Sequence, residues 1–318
     1  MADNGLLVTS GTGTPAPAQE ISADLYSRFI QYLDVTPKTA ETYSRALRQL
    51  AGYFSSIGAR SPRREDLLAF KEDLRATGYK PSTISAYMCA ARLFFSWTEQ
   101  EGLYPNIAKH LKGAKLDKEP KRDYLTASQV SEILESIDRG SLRGLRDYAM
   151  LALMVTGGLR TIEVSRANIE DLRTAGDHVV LYVQGKGEDE RSVYVKIPPQ
   201  LERAIRAYLK ARGKADGKQP LFSSLSNNSK GGRLTTRAIS GAVKERLRDA
   251  GHNSERLTAH SLRHTAVTLA LLAGKPLEEV SFFARHAKLD TTLIYAHHLD
   301  ATANTCAQAI ADVIFSDP

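Results

Sequence analysis

Cysteine is scarce: the 318 residues hold two, Cys89 and Cys306, far apart and inside apolar helical patterns. That excludes a disulfide framework and predicts buried free thiols in a reducing compartment. No apolar run is long enough to span a bilayer, and no signal peptide precedes the body. The expected location is therefore cytoplasmic, or the nucleoid in a bacterium, with no membrane partner. Charge is nearly missing from residues 1–20, which are rich in Gly, Thr, Ser, Ala and Pro and read as a disordered leader. Acidic residues fall short of basic ones, 36 against 43, leaving a net charge of +7. That balance favours a polyanionic partner, nucleic acid first, although a merely basic soluble protein shares it. The hydrophobic content of 42% is enough for real cores, and the length suits two domains.

The period from Ile21 to His110 is helical throughout. Helices are predicted from Ala23 to Leu33, from Pro37 behind Thr36 to near Gly58, from Ser61-Pro62 to Gly78, and from Pro81 through Trp97. This makes residues 21–111 a compact helical domain. Residues 112–123 are charged, carry Gly and Pro, lack a period and read as a basic linker. Residues 124–300 mix helices with a small antiparallel sheet. Thr126 and Gln129 form a capping box for a helix through Ile137. A longer helix runs from Leu142 to Thr156 and stops at Gly157-Gly158. His178–Gln184 and Arg191–Ile197 alternate as strands around the turn that holds Lys186. Pro199 starts a helix to Arg212, a Ser/Asn/Gly loop covers Ser223 to Gly232, and Thr235 or Thr236 caps a helix through Ala250. Residues 301–318 read as a final amphipathic helix with Ala303, Cys306, Ala307, Ile310 and Ile314 on one stripe.

The stretch from His260 to Tyr295 organises the rest. His260 and Arg263 share one helical face, while Leu262, Ala266, Leu269 and Ala273 form an apolar stripe expected to face a core. Gly274 and Pro276 stop that helix. A second leads to His286, and Asp290 is placed as the N-cap of a short third helix carrying Tyr295. Two histidines, an arginine and a tyrosine on consecutive helices suggest a phosphate held for attack.

In chain order the polar set is Arg160, Lys186, His260, Arg263, His286 and Tyr295. Together with GGLRTIEV, QGKG, HSLRHT and ARHAKLDTTLIYAH, it resembles the tyrosine recombinase (phage integrase) family, and the simple Xer-like members most. The resemblance covers nearly everything after the leader. It implies a mainly α fold with a small antiparallel sheet: an N-terminal SAM-like core-binding domain and an α+β catalytic domain. It implies a site-specific DNA recombinase that passes through a 3′-phosphotyrosyl intermediate and a Holliday junction. No cofactor, metal or ATP is implied. The implied partners are double-stranded DNA with inverted half-sites and, on two synapsed sites, a homo-tetramer joined through the tail helix; a monomer free in solution is compatible with this.

The chemistry explains the residue types. A phenol with a pKa near ~10 is a poor nucleophile at neutral pH, and the target diester is anionic. Two guanidiniums, Arg160 and Arg263, can fork onto the non-bridging oxygens and neutralise charge that builds in a five-coordinate transition state. By resemblance, His260 and His286 add donors or move the phenolic proton, and the sequence leaves open which is the base. Lys186 resembles the general acid for the leaving 5′-oxygen, and Tyr295 the nucleophile. Glu163 resembles an acid that orients Arg160; a helix-start carboxylate is the equal alternative.

Arg285 departs from the family, which usually has Gly there. It reads as an exposed arginine, with an added phosphate contact as the alternative. His264 reads as structural, and His297 and His298 as surface. Lys80, Arg92, Arg233, Arg237 and Lys244 are candidate DNA contacts. Three rivals remain. A zinc hydrolase would use His260 and His264 at i, i+4, but Ser261 stands where a zincin carries Glu. A monomeric type IB topoisomerase-like relaxase would share the site. A non-catalytic architectural protein would use these residues only to grip phosphates.

Overall fold

The structure is a computed structural model, and it describes residues 21–115, 123–185, 190–296 and Ile314. The chain divides into two compact units, Met1–Lys118 and Glu119–Pro318.

The first unit is helical: α1 (Ala23–Tyr32), α2 (Pro37–Ser56), α3 (Arg64–Ala76) and α4 (Pro81–Gln100). Proline at the first position starts α2 and α4, where its missing N–H costs nothing. In α2 the Thr36 hydroxyl accepts from the Thr39 N–H, and Ala46, Leu47, Leu50 and Phe54 face inward. They meet Ile84, Met88, Ala91, Phe94 and Phe95 of α4 in a single apolar cluster. Phe94 stacks on Tyr26 at 4.7 Å and meets Phe29 edge-on at 5.5 Å, tying α1 to α4. The predicted start of α3 at Ser61-Pro62 is corrected to Arg64. The Asp66 carboxylate caps this helix by accepting from the Arg63 N–H at 2.6 Å. Pro62 lies outside it, its carbonyl taken by the buried Tyr104 hydroxyl at 2.7 Å. Cys89 is half-buried and free, not enclosed as expected; Cys306 lies outside the described residues.

The second unit holds α5 (Ala127–Glu135), α6 (Leu142–Thr156), α7 (Thr161–Arg166), strands β1 (Leu172–Ala175), β2 (His178–Val183) and β3 (Val193–Lys196), then α8 (Pro199–Arg212), α9 (Thr236–Asp249), α10 (Ala259–Leu272), α11 (Leu277–Ala284) and α12 (Asp290–Ala296). The capping box of Thr126 and Gln129 is present on α5. Ser141 caps α6 through the Gly144 N–H at 3.0 Å. Helix α6 is central, its Ala149 to Leu153 buried in a core shared with Leu181, Val183, Ile205, Val243 and Leu262. The buried carboxylate of Asp147 binds Arg146 on one oxygen and Arg246 on the other, fastening α6 to α9.

The three strands form an antiparallel sheet in the order β1-β2-β3, with Leu172 opposite Leu181 and Tyr182 opposite Tyr194. Strand β1 is an addition to the expected pair. It joins β2 through the two-residue turn at Gly176-Asp177, where Gly176 has φ 57°.

Helix α10 is more enclosed than its apolar stripe predicts. Leu262 and Ala266 are buried, but so are Ser261, Arg263, Thr265 and Thr268. Leu269 is only partly covered and Ala273 is exposed, because the helix end projects beyond the core. Asp290 does not cap α12 but stands in its first turn; the Thr291 N–H goes to the Lys288 carbonyl, and the Thr292 and Leu293 N–H groups go to the Leu289 carbonyl. Among the described residues no helix is long and apolar enough to cross a membrane. The tail helix expected over residues 301–318 lies outside the described residues apart from Ile314.

Candidate active site

The site is built where the end of α6, the start of α7, α10, α11 and α12 meet. The chain leaves α6 through Gly157 and Gly158, the latter at φ 58°. A side chain at 158 would be strained by that angle and would lie 3.2 Å from the Phe283 ring. The carbonyls freed by this turn become anchors. Arg263, on α10, gives Nη1 to the Gly158 oxygen at 2.6 Å and Nη2 to the Ala284 oxygen at the end of α11. The side chain is almost wholly buried, at 1% exposure.

Arg160 stands just before α7, and Glu163 serves it twice. One carboxylate oxygen accepts from the Arg160 backbone N–H at 2.8 Å, capping α7; the other accepts from Nη1 at 2.8 Å. The two sequence readings of Glu163, orienting acid and helix-start carboxylate, thus describe one arrangement. Arg160 Nη2 reaches the Arg285 carbonyl at 3.1 Å. A guanidinium has five N–H donors. Among the described residues, Arg160 and Arg263 each give two of these inward.

Arg285 is a correction. It is not an exposed arginine: its side chain is 10% exposed and ion-pairs with the fully buried Glu163 at 3.0 Å. It also donates to the Phe283 oxygen at 2.8 Å and the Gly158 oxygen at 2.9 Å. Its backbone sits at φ 53°, the left-handed region that glycine would adopt without cost. Burial opposes ionisation of Glu163, but Arg285, the Arg160 N–H and the Arg160 charge together hold its carboxyl below the usual range. Burial, then repulsion from Arg160 and Arg285, pushes the Arg263 guanidinium down to about 10.

His286 follows Arg285. Burial and then the positive field of Arg263, Arg160 and Arg285 push its imidazole down to about 4, so the ring is neutral at neutral pH. Its Nδ1 lies 2.8 Å from the Thr292 hydroxyl oxygen. Tyr295, on α12, has its ring near parallel to His286 at 6.0 Å and tilted over His264 at 4.8 Å. The ring packs beside Val267, Val280 and Ala284. His260 meets His264 edge-on at 4.9 Å. His264, read as structural from sequence, is therefore the imidazole between His260 and Tyr295.

A concavity of about 270 Å³ opens beside this cluster, lined by Arg160, Glu163, Val183, Gly185, Val193, Arg285 and Ala287. Gly185 immediately precedes Lys186, which lies outside the described residues, so the strand end leading to that lysine is on the rim. The described residues on either side of Lys186 are tied down. Arg166 donates to the Gly185 carbonyl at 2.8 Å; Arg191 pairs with buried Asp171 at 3.0 Å and donates to the Arg166 carbonyl at 3.2 Å.

The model described as "Phage integrase family" matches residues 123–302, and "Phage integrase, N-terminal SAM-like domain" matches 26–102. The chain belongs to the phage integrase family. Tyrosine recombinase XerC of Herpetosiphon aurantiacus is 32% identical over 85% of this chain and 89% of that relative. XerC of Pelobacter propionicus is 30% identical over 83% and 86%. The fold is also that of XerH site-specific recombinase bound to palindromic difH, at TM-score 0.71, 23% identity, and coverage of 87% of this chain and 80% of that one. A lambda integrase dimer bound to a COC′ core site superposes at TM-score 0.67 with 15% identity, over 84% and 96%. This chain is accordingly a tyrosine-type site-specific recombinase, with a SAM-like helical domain ahead of a mixed catalytic fold.

The structure brings Arg160, Glu163, Arg263, His286 and Tyr295 together, with His260 one imidazole further out. The candidate DNA contacts are spread more widely. Lys80 is exposed at the start of α4, and Arg237 is exposed on α9. Arg92 donates to the Leu111 carbonyl at 2.7 Å. Arg233 donates to the Ser165 carbonyl and the Asn168 side chain, both at 2.7 Å, and Lys244 to the Ser254 carbonyl at 2.6 Å. Sequence reasoning did not anticipate the part played by Arg285, Thr292, Arg166 or Arg191. For Arg285 the signal was there, in the missing glycine; for the others there was none, since their partners are backbone carbonyls, an imidazole or a carboxylate distant in sequence.

Proposed function

We propose that this recombinase cleaves and rejoins DNA through a covalent bond between Tyr295 and a 3′-phosphate. The observation that carries the reading is the seat of Tyr295, its ring between His264 and His286 and within electrostatic range of Arg263. The phenolic oxygen bonds to phosphorus as the 5′-oxygen departs. One imidazole of the set that holds His260 and His286 takes the phenolic proton while another adds a donor, and Lys186 supplies a proton to the leaving oxygen. The guanidiniums of Arg160 and Arg263 hold the non-bridging oxygens and stabilise the charge that grows on them. A 5′-hydroxyl from a partner strand then attacks the phosphotyrosyl bond and regenerates the phenol. Two such exchanges pass through a Holliday junction without metal or ATP, because each step exchanges one phosphate ester for another.

The same reading assigns residues 21–111 to core-site binding, 124–300 to catalysis and 301–318 to docking between protomers of a tetramer on two synapsed sites. The relatives bound to difH and to a core site support a duplex substrate with inverted half-sites. Lys80, Arg92, Arg233, Arg237 and Lys244 are its proposed phosphate contacts. A cytoplasmic location and service to a mobile element belong to this proposal too.

The test is Tyr295→Phe on a nicked suicide duplex. Covalent protein–DNA adducts should vanish while binding stays near normal. Adducts that persist in the phenylalanine variant would refute the assignment.

A further inference from the structure

Thr292 is fully buried, at 0% exposure. A buried hydroxyl needs an acceptor for its proton, and leaving it without one costs about as much as a broken hydrogen bond. Threonines inside helices commonly give that proton to the carbonyl four residues back. Thr265 does so to Ser261 at 2.8 Å and Thr156 to Ala152 at 2.7 Å. Thr292 does not bond Lys288 in this way. Among the described residues its hydroxyl is paired with Nδ1 of His286 at 2.8 Å and with nothing else.

The direction of that bond decides the state of the ring. A neutral imidazole carries one N–H and one bare nitrogen. If the hydroxyl donates, Nδ1 is the bare acceptor and the proton sits on Nε2, the nitrogen away from Thr292. The reverse arrangement would leave a buried hydroxyl proton without an acceptor.

We propose that Thr292 is a positioning residue that locks His286 as the Nε2–H tautomer, so that this imidazole offers the reacting phosphate a donor and not a base. The proposal rests on the phosphotyrosyl reading above and deepens it. The phenolic proton then leaves on the other side of Tyr295, toward the His264 and His260 rings. Burial and the three guanidiniums nearby keep His286 neutral, so its tautomer and not its charge is what Thr292 controls.

The test uses the full chain labelled with 15N-histidine, whose two-bond proton–nitrogen correlations distinguish a protonated from a bare ring nitrogen. His286→Gln identifies the signal. In the wild type at neutral pH, Nε2 should carry the proton. Thr292→Ser, which keeps the hydroxyl, should preserve that pattern and the cleavage rate. Thr292→Val, close in shape, should give mixed tautomers and cleave a suicide duplex on the order of tenfold more slowly with binding unchanged. A wild-type ring protonated on Nδ1, or a valine variant with unchanged spectrum and rate, overturns the proposal. The ring spectrum is read on DNA-free protein, so failure of the phosphotyrosyl reading would show separately, as adducts that survive Tyr295→Phe.

Discussion

Replacing Arg285 by glycine sets two effects against each other. The backbone gains: an L-residue in the left-handed region costs about 1–2 kcal/mol, and φ 53° places Arg285 there. Part of that gain, about 0.4–1 kcal/mol, is returned because glycine loses more freedom on folding. The side chain loses its ion pair with Glu163 at 3.0 Å and its bonds to the Phe283 and Gly158 carbonyls. Breaking a buried ion pair costs about 3–5 kcal/mol when the remaining charge is left unpaired. Glu163 is not left so, since Arg160 still gives it two bonds at 2.8 Å; about half that cost is the better figure. The loss therefore wins, by roughly 1–2 kcal/mol.

In a unit the size of residues 119–318, each kcal/mol moves the melting temperature by about 2–4 °C. Arg285→Gly should melt about 2–8 °C below wild type at neutral pH. Arg285→Ala loses the same bonds and keeps the strained angle, so it should melt a few degrees lower again. Differential scanning calorimetry on the full-length variants measures both gaps. If the glycine variant melts at or above the wild type, the side chain is not holding the turn and the account of this residue is wrong.

Two further perturbations test the site. Glu163→Gln should destabilise by about 3 kcal/mol and slow cleavage by loosening Arg160. The folded-state pKa of Glu163 is lowered. Its contribution is therefore present above its unfolded value, near ~4.3, and is lost as pH falls through the folded value. The melting gap to wild type should narrow in acid; a gap of equal size at pH 7 and in acid contradicts the charge argument. Lys186→Ala should slow cleavage, and a duplex with a 5′-bridging phosphorothiolate, whose leaving group needs no proton, should restore the rate. Without rescue, Lys186 is not the acid.

Legibility from the sequence followed the range of the interactions. Helices α2, α4, α6 and α8 could be read because each carries local punctuation, a proline or a serine cap at one end and glycine at the other. Strand β1 was missed because only Leu172 and Ala175 of its four residues turn even partly inward, so no alternating period stands out. The start of α3 was misplaced because Ser61-Pro62 imitates a cap, while Tyr104, forty-two residues on, claims the Pro62 carbonyl. The six polar residues were legible by type and order. The bonds of Arg263, and the one from Arg160 to residue 285, were not, because their acceptors are the carbonyls of Gly158, Ala284 and Arg285, which any residue possesses. Arg285 shows the limit: its departure from glycine was visible, but its partner Glu163 lies 122 positions away.

Those inward bonds bear on catalysis. Arg160, Arg263 and Arg285 bring three positive charges against the one negative charge of Glu163, so these four groups sum to plus two beside a neutral His286. A phosphodiester brings one negative charge. The five-coordinate species formed by a phenolate attacking it brings two. Under the proposed mechanism these four groups, three guanidiniums and one carboxylate, attract the doubly charged reacting state more strongly than the singly charged substrate, which is the condition for lowering a barrier instead of only tightening binding. Because the guanidiniums are held by carbonyls and a carboxylate, they need not reorganise as that charge develops. Burial first, and then the like charges of Arg160 and Arg285, depress the Arg263 guanidinium; a bound anion offsets the second of these.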